Sequence, residues 1–220
     1  MFIGHFAVGF GAKKYAPILS LGFLFIAAQF LDLLWPILLL FNLEQVVIEP
    51  GTTKMTPLDF THYPYTHSLL FALLWSLLGT GLTYLLLKKI RPALVIGICI
   101  ISHWFLDFLV HRPDLPIMPD EAYKVGLGLW NHPVVAIVLE FIVFIVGVLL
   151  YQRHTKPISK FGNYGFIGLV LFLFLIYLAN IFGPPPPDVQ SIAWAGQLQW
   201  LFVILAFYVD KHRVFVQTNA

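Results

Sequence analysis

The sequence predicts an all-α protein, a polytopic membrane helix bundle with about six transmembrane helices and a short N-terminal re-entrant or interfacial helix. Hydrophobic residues make up 59% of the 220-residue chain and charged residues only 11%, against about 25% in soluble domains. The apolar residues form long runs of about 20, the length with which a helix crosses a bilayer. We therefore expect a single integral membrane domain over residues 1–220.

The same composition excludes several other classes of protein. A chain this apolar is not intrinsically disordered. Its 13 Lys and Arg residues face 11 Asp and Glu residues and form no basic stripe, so we expect no nucleic-acid partner. Cys99 is the single cysteine, which rules out an intrachain disulfide framework and a cysteine-based zinc site.

The apolar runs are separated by basic, glycine-containing and proline-containing breaks. Residues 1–12 are apolar but too short to span, and they precede Lys13 and Lys14, which is the wrong order for a signal peptide. Pro184 to Pro187 can form only a short, stiff spacer. The predicted spans are about residues 18–42, 66–87, 92–111, 133–151, 162–182 and 191–209.

The basic residues predict how these spans are oriented. By the positive-inside rule, the ends of spans that are rich in Lys and Arg face the cytoplasm. One set of alternate ends carries Lys13, Lys14, Lys88, Lys89, Arg91, Arg153, Lys156, Lys160, Lys211 and Arg213, whereas the other carries Lys54, Arg112 and Lys124. We therefore predict that both termini are cytoplasmic.

Three carboxylates fall within the predicted spans: Asp32, Asp107 and Glu140. An ionised group at the bilayer centre costs about 2.5–3.5 kcal/mol on insertion scales, so each needs a partner. His103 lies four residues before Asp107, and His111 four residues after it. Because residues four apart share a helix face, this segment directs three potential ligands to one side.

The ionisable groups are expected to form one layer in the outer half of the membrane. At about 1.5 Å per residue, Asp32, His103, Asp107 and Glu140 lie roughly 16 to 22 Å above the inner face. His67 begins its span at the outer side, where Thr66 is expected to cap the helix and leave His67 pointing inward. The layer gains a further histidine, His5, if residues 1–12 fold back into the bundle.

Each of these groups also has a purely structural interpretation. His103 and Asp107 could form a hydrogen-bonded pair, and Asp32 or Glu140 could anchor one helix to another. A whole layer of imidazoles and carboxylates instead favours a metal centre with one or two divalent ions, zinc first, with manganese or iron as alternatives. The candidate ligands are His5, Asp32, His67, His103, Asp107, His111 and Glu140.

Two motifs also carry a family resemblance. They are His62-Tyr63-Pro64-Tyr65-Thr66-His67-Ser68 and Ser102-His103-Trp104-Phe105-Leu106-Asp107. With the early His5 and Asp32, the chain resembles, over roughly residues 1–140, the bacterial proteins known as membrane-bound metal-dependent hydrolases. That family is distantly similar to zinc-dependent phospholipase C and its related nucleases. The resemblance implies a bacterial inner-membrane location.

The resemblance also implies a ligand set, with Asp32, His67, His103 and Asp107 as the zinc ligands. The sequence departs from the pattern at two positions. Ala136 stands where a histidine would pair with Glu140, and Tyr63 stands where the membrane family often has an arginine. The resemblance therefore implies neither a third metal nor a phosphate-binding residue at position 63.

These features favour a membrane-embedded hydrolase that attacks a lipid or lipid-linked (phospho)ester at the outer leaflet with metal-activated water. Asp32 is expected to orient or deprotonate that water, and His62 and Arg112 to contact the leaving headgroup. An ion- or proton-coupled transporter would also bury Asp, Glu and His, but it needs a polar route to both faces. A scaffold protein would pair its helices through small residues and would not need the ionisable layer.

Overall fold

The computed structural model describes residues 1–216, which form a helix bundle with three short antiparallel strand pairs in the segments that connect or follow the helices. The helices are α1 Phe2–Ala12, α2 Leu21–Ala28, α3 Phe30–Leu40, α4 Pro64–His67, α5 Leu69–Leu87, α6 Ile90–Val110, α7 Pro133–His154, α8 Lys160–Phe182, α9 Val189–Gln197 and α10 Gln199–Lys211. The paired strands are β1 Gln45–Ile48 with β2 Leu58–His62, β3 Leu115–Pro116 with β4 Lys124–Val125, and β5 Thr155–Pro157 with β6 Arg213–Phe215. The predicted all-α class is confirmed.

Within residues 1–216, five helical segments are long and apolar enough to cross a membrane. They are α5, α6, α7, α8 and the segment Val189–Lys211 formed by α9 and α10. Helices α2 and α3 pass the same test together but are bent by 60°, which makes six spans if they count as one. The chain is therefore a multi-pass helical membrane protein, whereas the side on which each terminus lies stays a prediction.

The boundaries of the first two spans differ from those predicted. The first is broken at Gln29, whose backbone (φ −101°, ψ 9°) separates α2 from α3. The second starts at Leu69 because the hydroxyl of Ser68 accepts the N–H of Phe71 and caps α5. The prediction that Thr66 caps this helix is therefore wrong, since Thr66 lies in the preceding α4. The other spans begin and end within about one turn of their predicted limits.

Helix α1 is the short N-terminal helix that the sequence predicts, and most of its residues are buried. Helix α1 packs inside the bundle against α7, α2 and α6. Gly147 permits this approach, because a Cβ atom at that position would lie 2.3 Å from the backbone oxygen of Ala7. Met1 is consequently buried within the bundle.

The other end of α1 is tied to the last helix by a buried polar group. Lys13 donates from Nζ to Asp210 Oδ2 at 2.7 Å and to the carbonyl of Leu19 at 2.8 Å. The hydroxyl of Tyr151 donates to the second oxygen of Asp210 at 2.7 Å. Between this end and Met1, Phe6 and Phe10 are fully buried. The part of the bundle between Met1 and Lys13 is therefore a packed aromatic core. The buried ion pair between Lys13 and Asp210 lies at one end of this core.

Candidate metal centre

Four helices bring imidazole and carboxylate groups together in the middle of the bundle. His5 comes from α1, Asp32 from α3, His67 from α4, and His103 and Asp107 from α6. Two sets of ligand atoms lie within 4.8 Å of one another: His5, His103 and Asp107 form one set, and Asp32, His67 and His103 form the other. His103 belongs to both sets, so the structure brings together the five residues predicted from these helices.

The break between α2 and α3 places Asp32 and supplies a partner for His103. Asp32 lies in the first turn of α3, where the positive end of the helix dipole stabilises a carboxylate. Because α2 ends at Ala28, the carbonyl of that residue is free to accept a hydrogen bond from His103 Nδ1, at 2.9 Å. In a regular helix the residue at position 36 would donate its N–H to the carbonyl of Asp32, but Pro36 has no N–H. The side-chain amide of Gln199 donates to that carbonyl instead, at 3.2 Å.

His103 directs its second nitrogen at two carboxylates. Its Nδ1 must carry a proton, since a carbonyl oxygen can only accept. Nε2 lies 3.2 Å from Asp107 Oδ2 and 3.5 Å from Asp32 Oδ1. Within residues 1–216, that buried Nε2 makes no contact that meets hydrogen-bond geometry. In the neutral imidazole its lone pair faces negative oxygens, so either a second proton or a bound cation must compensate the charge.

Asp107 is the most heavily contacted carboxylate of the cluster. Its Oδ1 accepts from the amino group of Met1 at 2.5 Å and lies 3.1 Å from His5 Nε2. Its Oδ2 lies 3.2 Å from His103 Nε2 and 3.7 Å from His67 Nε2. Both oxygens therefore have cationic or imidazole neighbours. Through these contacts Asp107 links Met1 and the α1 residue His5 to His67 and His103.

A cavity of about 660 Å³ opens onto one side of the cluster. Its polar inner wall includes Asp32, His67, Asp107 and Glu140. The Asp32 side chain is 24% exposed, against 3% for Asp107, so Asp32 is the more accessible of the two carboxylates. Much of the remaining wall is apolar and includes Trp35, Phe60, Phe172, Ile176, Ile192, Leu201 and Phe202.

His111 and Glu140 line this cavity but lie outside both sets of ligand atoms. His111 pairs through Nδ1 with Asp114 Oδ1 at 2.9 Å. Glu140 accepts the backbone N–H of Gly4 at 3.2 Å. These two predicted ligands therefore lie on the cavity wall and outside both ligand sets.

The two residues expected to contact a headgroup are held by loop carboxylates. His62 Nδ1 lies 2.8 Å from Glu121 Oε2. Arg112 donates to Asp59 and, at 3.1 Å, to Asp114 Oδ2. Partial burial lowers the pKa of Arg112, but these carboxylates outweigh it and raise the pKa overall. Neither His62 nor Arg112 is among the residues that line the cavity.

Glu44 is a buried residue of the site that the sequence did not reveal. The sequence indicates only an acidic loop residue, whereas the structure leaves it 2% exposed. Its carboxylate accepts from the backbone amides of Tyr65 and Thr66 and from the Thr66 hydroxyl. Burial raises the pKa of Glu44, an effect that His67 and these donors oppose. In the sequence, the one indication of a polar partner for His67 is the hydroxyl residue Thr66 directly before it.

No protein-family description, curated protein or solved structure matches this chain. The chemistry of the site is indicated by the donor atoms of the cluster. Its donors are imidazole nitrogens and carboxylate oxygens, a set that suits zinc, iron or manganese. The described residues could thus hold a divalent metal ion at the wall of a largely apolar cavity.

Proposed function

We propose that this protein is a membrane-embedded metal-dependent hydrolase that cleaves a lipid or lipid-linked (phospho)ester at the outer leaflet of a bacterial inner membrane. The observation that carries the proposal is the pair of ligand sets sharing His103 beside a cavity with one polar wall and a largely apolar remainder. The motif resemblance to membrane-bound metal-dependent hydrolases supports the same function.

The five clustered residues would hold one or two divalent ions, zinc by preference. Asp32, His67 and His103 would form one site, and His5, His103 and Asp107 the other. The Nε2 of His103, which has no hydrogen-bond partner within residues 1–216, fits this role, because a lone pair between two carboxylates is stabilised by a cation. A bound divalent ion supplies Lewis acidity and activates water for attack near neutral pH.

Asp32 is the residue that would accept the proton of the attacking water. It is the accessible carboxylate of the cluster and lies on the cavity wall. Its contacts with His67 and His103 both use Oδ1, so Oδ2 would be the oxygen that takes the proton. A general base needs this combination of access and a fixed orientation.

The cavity wall fits an amphiphilic substrate. Its polar residues would face the ester, and the aromatic and aliphatic residues of α8, α9 and α10 would contact an acyl or prenyl chain. Burial of apolar chain is favourable by roughly 25 cal/mol per Å². Under the predicted orientation, the cavity faces the outer leaflet, from which a lipid could enter laterally.

A transporter is the alternative function, because it too would bury carboxylates and histidines. Transport requires access to the cluster from both faces. On the side of the cluster towards Lys13, the fully buried rings of Phe6, Phe10 and Phe25 are packed edge to face. This packing favours a site reached from one side, as hydrolysis requires.

The test is ester cleavage by purified protein in proteoliposomes. We expect the zinc-loaded wild type to release headgroup or phosphate from outer-leaflet lipids, and Asp32→Asn to lose this activity because the amide cannot accept the proton. Asp120→Asn, an equivalent change at an exposed loop residue, should retain full activity. If no ester in a broad panel is cleaved, while the wild type alone dissipates an ion or pH gradient, the transporter replaces the hydrolase.

A further inference from the structure

A buried chain of hydrogen bonds leads from a loop carboxylate to one of the cluster histidines. Glu44 Oε1 accepts the backbone N–H groups of Tyr65 and Thr66, both at 2.8 Å. Glu44 Oε2 accepts the hydroxyl of Thr66 at 2.7 Å, and the same hydroxyl oxygen lies 2.6 Å from His67 Nδ1. Glu44, Thr66 and His67 are all nearly or fully buried, so bulk water does not compete for these groups.

The direction of each hydrogen bond follows from the number of protons available. An ionised carboxylate can only accept, and three donors converge on Glu44. The hydroxyl of Thr66 therefore donates its single proton to Glu44 Oε2. The remaining contact of Thr66 is with His67, where its oxygen must act as the acceptor and Nδ1 must be the donor.

We propose that Glu44 and Thr66 are positioning residues that fix His67 as the tautomer protonated on Nδ1. Its Nε2 lone pair then points at the cluster, 3.5 Å from Asp32 Oδ1 and 3.7 Å from Asp107 Oδ2. In many proteins a metal-binding histidine donates its other ring N–H to a hydrogen-bonded partner, which fixes the tautomer and the orientation of the ring. The use of the lone pair rests on the proposed function, but the tautomer is a property of the chain alone.

The local backbone explains why the relay forms at this position. Tyr63 precedes Pro64, which starts the one-turn helix α4. The amides of Tyr65 and Thr66 lie in that first turn, where backbone N–H groups lack helical acceptors. Glu44 satisfies both of them, and in doing so it brings its second oxygen to the Thr66 hydroxyl.

The direct test is the tautomer of His67 in metal-free protein, read from the ¹⁵N chemical shifts of histidine-labelled full chain in detergent. The resonance that disappears in His67→Gln identifies His67. We expect a neutral ring protonated on Nδ1. A ring protonated on Nε2 alone would overturn the proposal without any assumption about metal.

Glu44→Gln should reverse the relay. The side-chain oxygen of the new glutamine would accept the backbone N–H groups of Tyr65 and Thr66. Its side-chain NH₂ would then donate to the hydroxyl oxygen of Thr66. The Thr66 proton would then turn to His67 Nδ1 and shift the ring to the Nε2-protonated form. We expect this switch in the ¹⁵N spectrum and a Co²⁺ affinity lower by about 10- to 100-fold, the usual effect of removing a hydrogen-bond partner of a metal-binding histidine. Glu49→Gln, at an exposed position near the same hairpin, should change neither.

A second pair of variants separates the hydroxyl from simple packing. Thr66→Val keeps the shape but removes the hydroxyl, whereas Thr66→Ser keeps the hydroxyl. We expect Co²⁺ affinity, followed by visible absorption, to fall by about 10- to 100-fold in the valine variant and to stay near wild type in the serine variant. Equal losses in both, or no change in Glu44→Gln, would refute the relay. A wild type that binds no Co²⁺ would instead contradict the proposed function, while its ¹⁵N spectrum would still report the tautomer.

Discussion

The imidazole rings of His5 and His103 stack face to face, with centroids 3.5 Å apart and planes within 4° of parallel. The stack joins the N-terminal helix α1 to α6 near Asp107, which lies one turn after His103. The position of α1 therefore decides whether one of the two ligand sets exists.

The two ligand sets should be separable by mutation. Removing His5 affects only the set with His103 and Asp107, and removing His67 affects only the set with Asp32. We expect each single variant, His5→Ala or His67→Ala, to lose part of the bound zinc, because each leaves one set intact. Zinc per chain, measured by elemental analysis, checks this. Complete retention in both variants would place the ion elsewhere.

Docking of α1 should depend on the glycine at its contact with α7. In Gly147→Ala, the new methyl would lie 2.3 Å from the backbone oxygen of Ala7, so the helices must move apart. We expect a stability loss of about 1–3 kcal/mol from overpacking, together with weaker zinc binding through displaced His5. Gly81→Ala is the matched control, since nothing lies within 4 Å of its added methyl. Equal thermal unfolding temperatures for the two variants would contradict this packing.

The buried ion pair at the other end of α1 should also stabilise the fold. Lys13→Met leaves the carboxylate of Asp210 buried, and within residues 1–216 the Tyr151 hydroxyl is then its only side-chain hydrogen-bond partner. We expect a loss of about 3–5 kcal/mol, the usual cost of an uncompensated buried charge. Lys14→Met changes the neighbouring exposed lysine and should cost less than about 0.5 kcal/mol. Unfolding in detergent measures both, and similar losses would argue against a specific pair.

The orientation predicted from the basic residues has its own test. A reporter that is active only outside the cytoplasm should stay silent when fused after Ala220, because the ends rich in Lys and Arg are expected to remain inside. The same reporter inserted after Asp120, in a loop that the orientation predicts to lie outside, should be active. The reverse pattern would turn the cavity towards the inner leaflet and change the source of the substrate.

Much of the cluster could be predicted from the sequence because helix geometry is regular. A rise of about 1.5 Å per residue places Asp32, His103 and Asp107 at similar depth once the spans are recognised. The i, i+4 spacing of His103 and Asp107 also fixes a common face, which the structure bears out with Nε2 and Oδ2 3.2 Å apart.

The features that could not be predicted depend on contacts between distant segments. The helix break comes at Gln29, with neither proline nor glycine there, while α3 continues through Pro36 because Gln199 satisfies the freed carbonyl of Asp32. The burial of Glu44 likewise depends on the fold of the loop around Thr66. The ion pair of Arg112 with Asp59 could not be predicted either, since nothing in the local sequence of Arg112 indicates it.

The proposed function depends on binding of a divalent metal ion by the two ligand sets that share His103. The most direct measurement is elemental analysis of full-length protein, purified gently in detergent without chelator, beside the His103→Ala and Asp107→Ala double variant. We expect one to two equivalents of zinc, or of manganese or iron, in the wild type. We expect a large loss of metal in the double variant, which should also unfold at lower temperature because unpaired ligands in lipid are costly. Wild-type protein without divalent metal, or a double variant with undiminished metal, would contradict metal binding by this cluster.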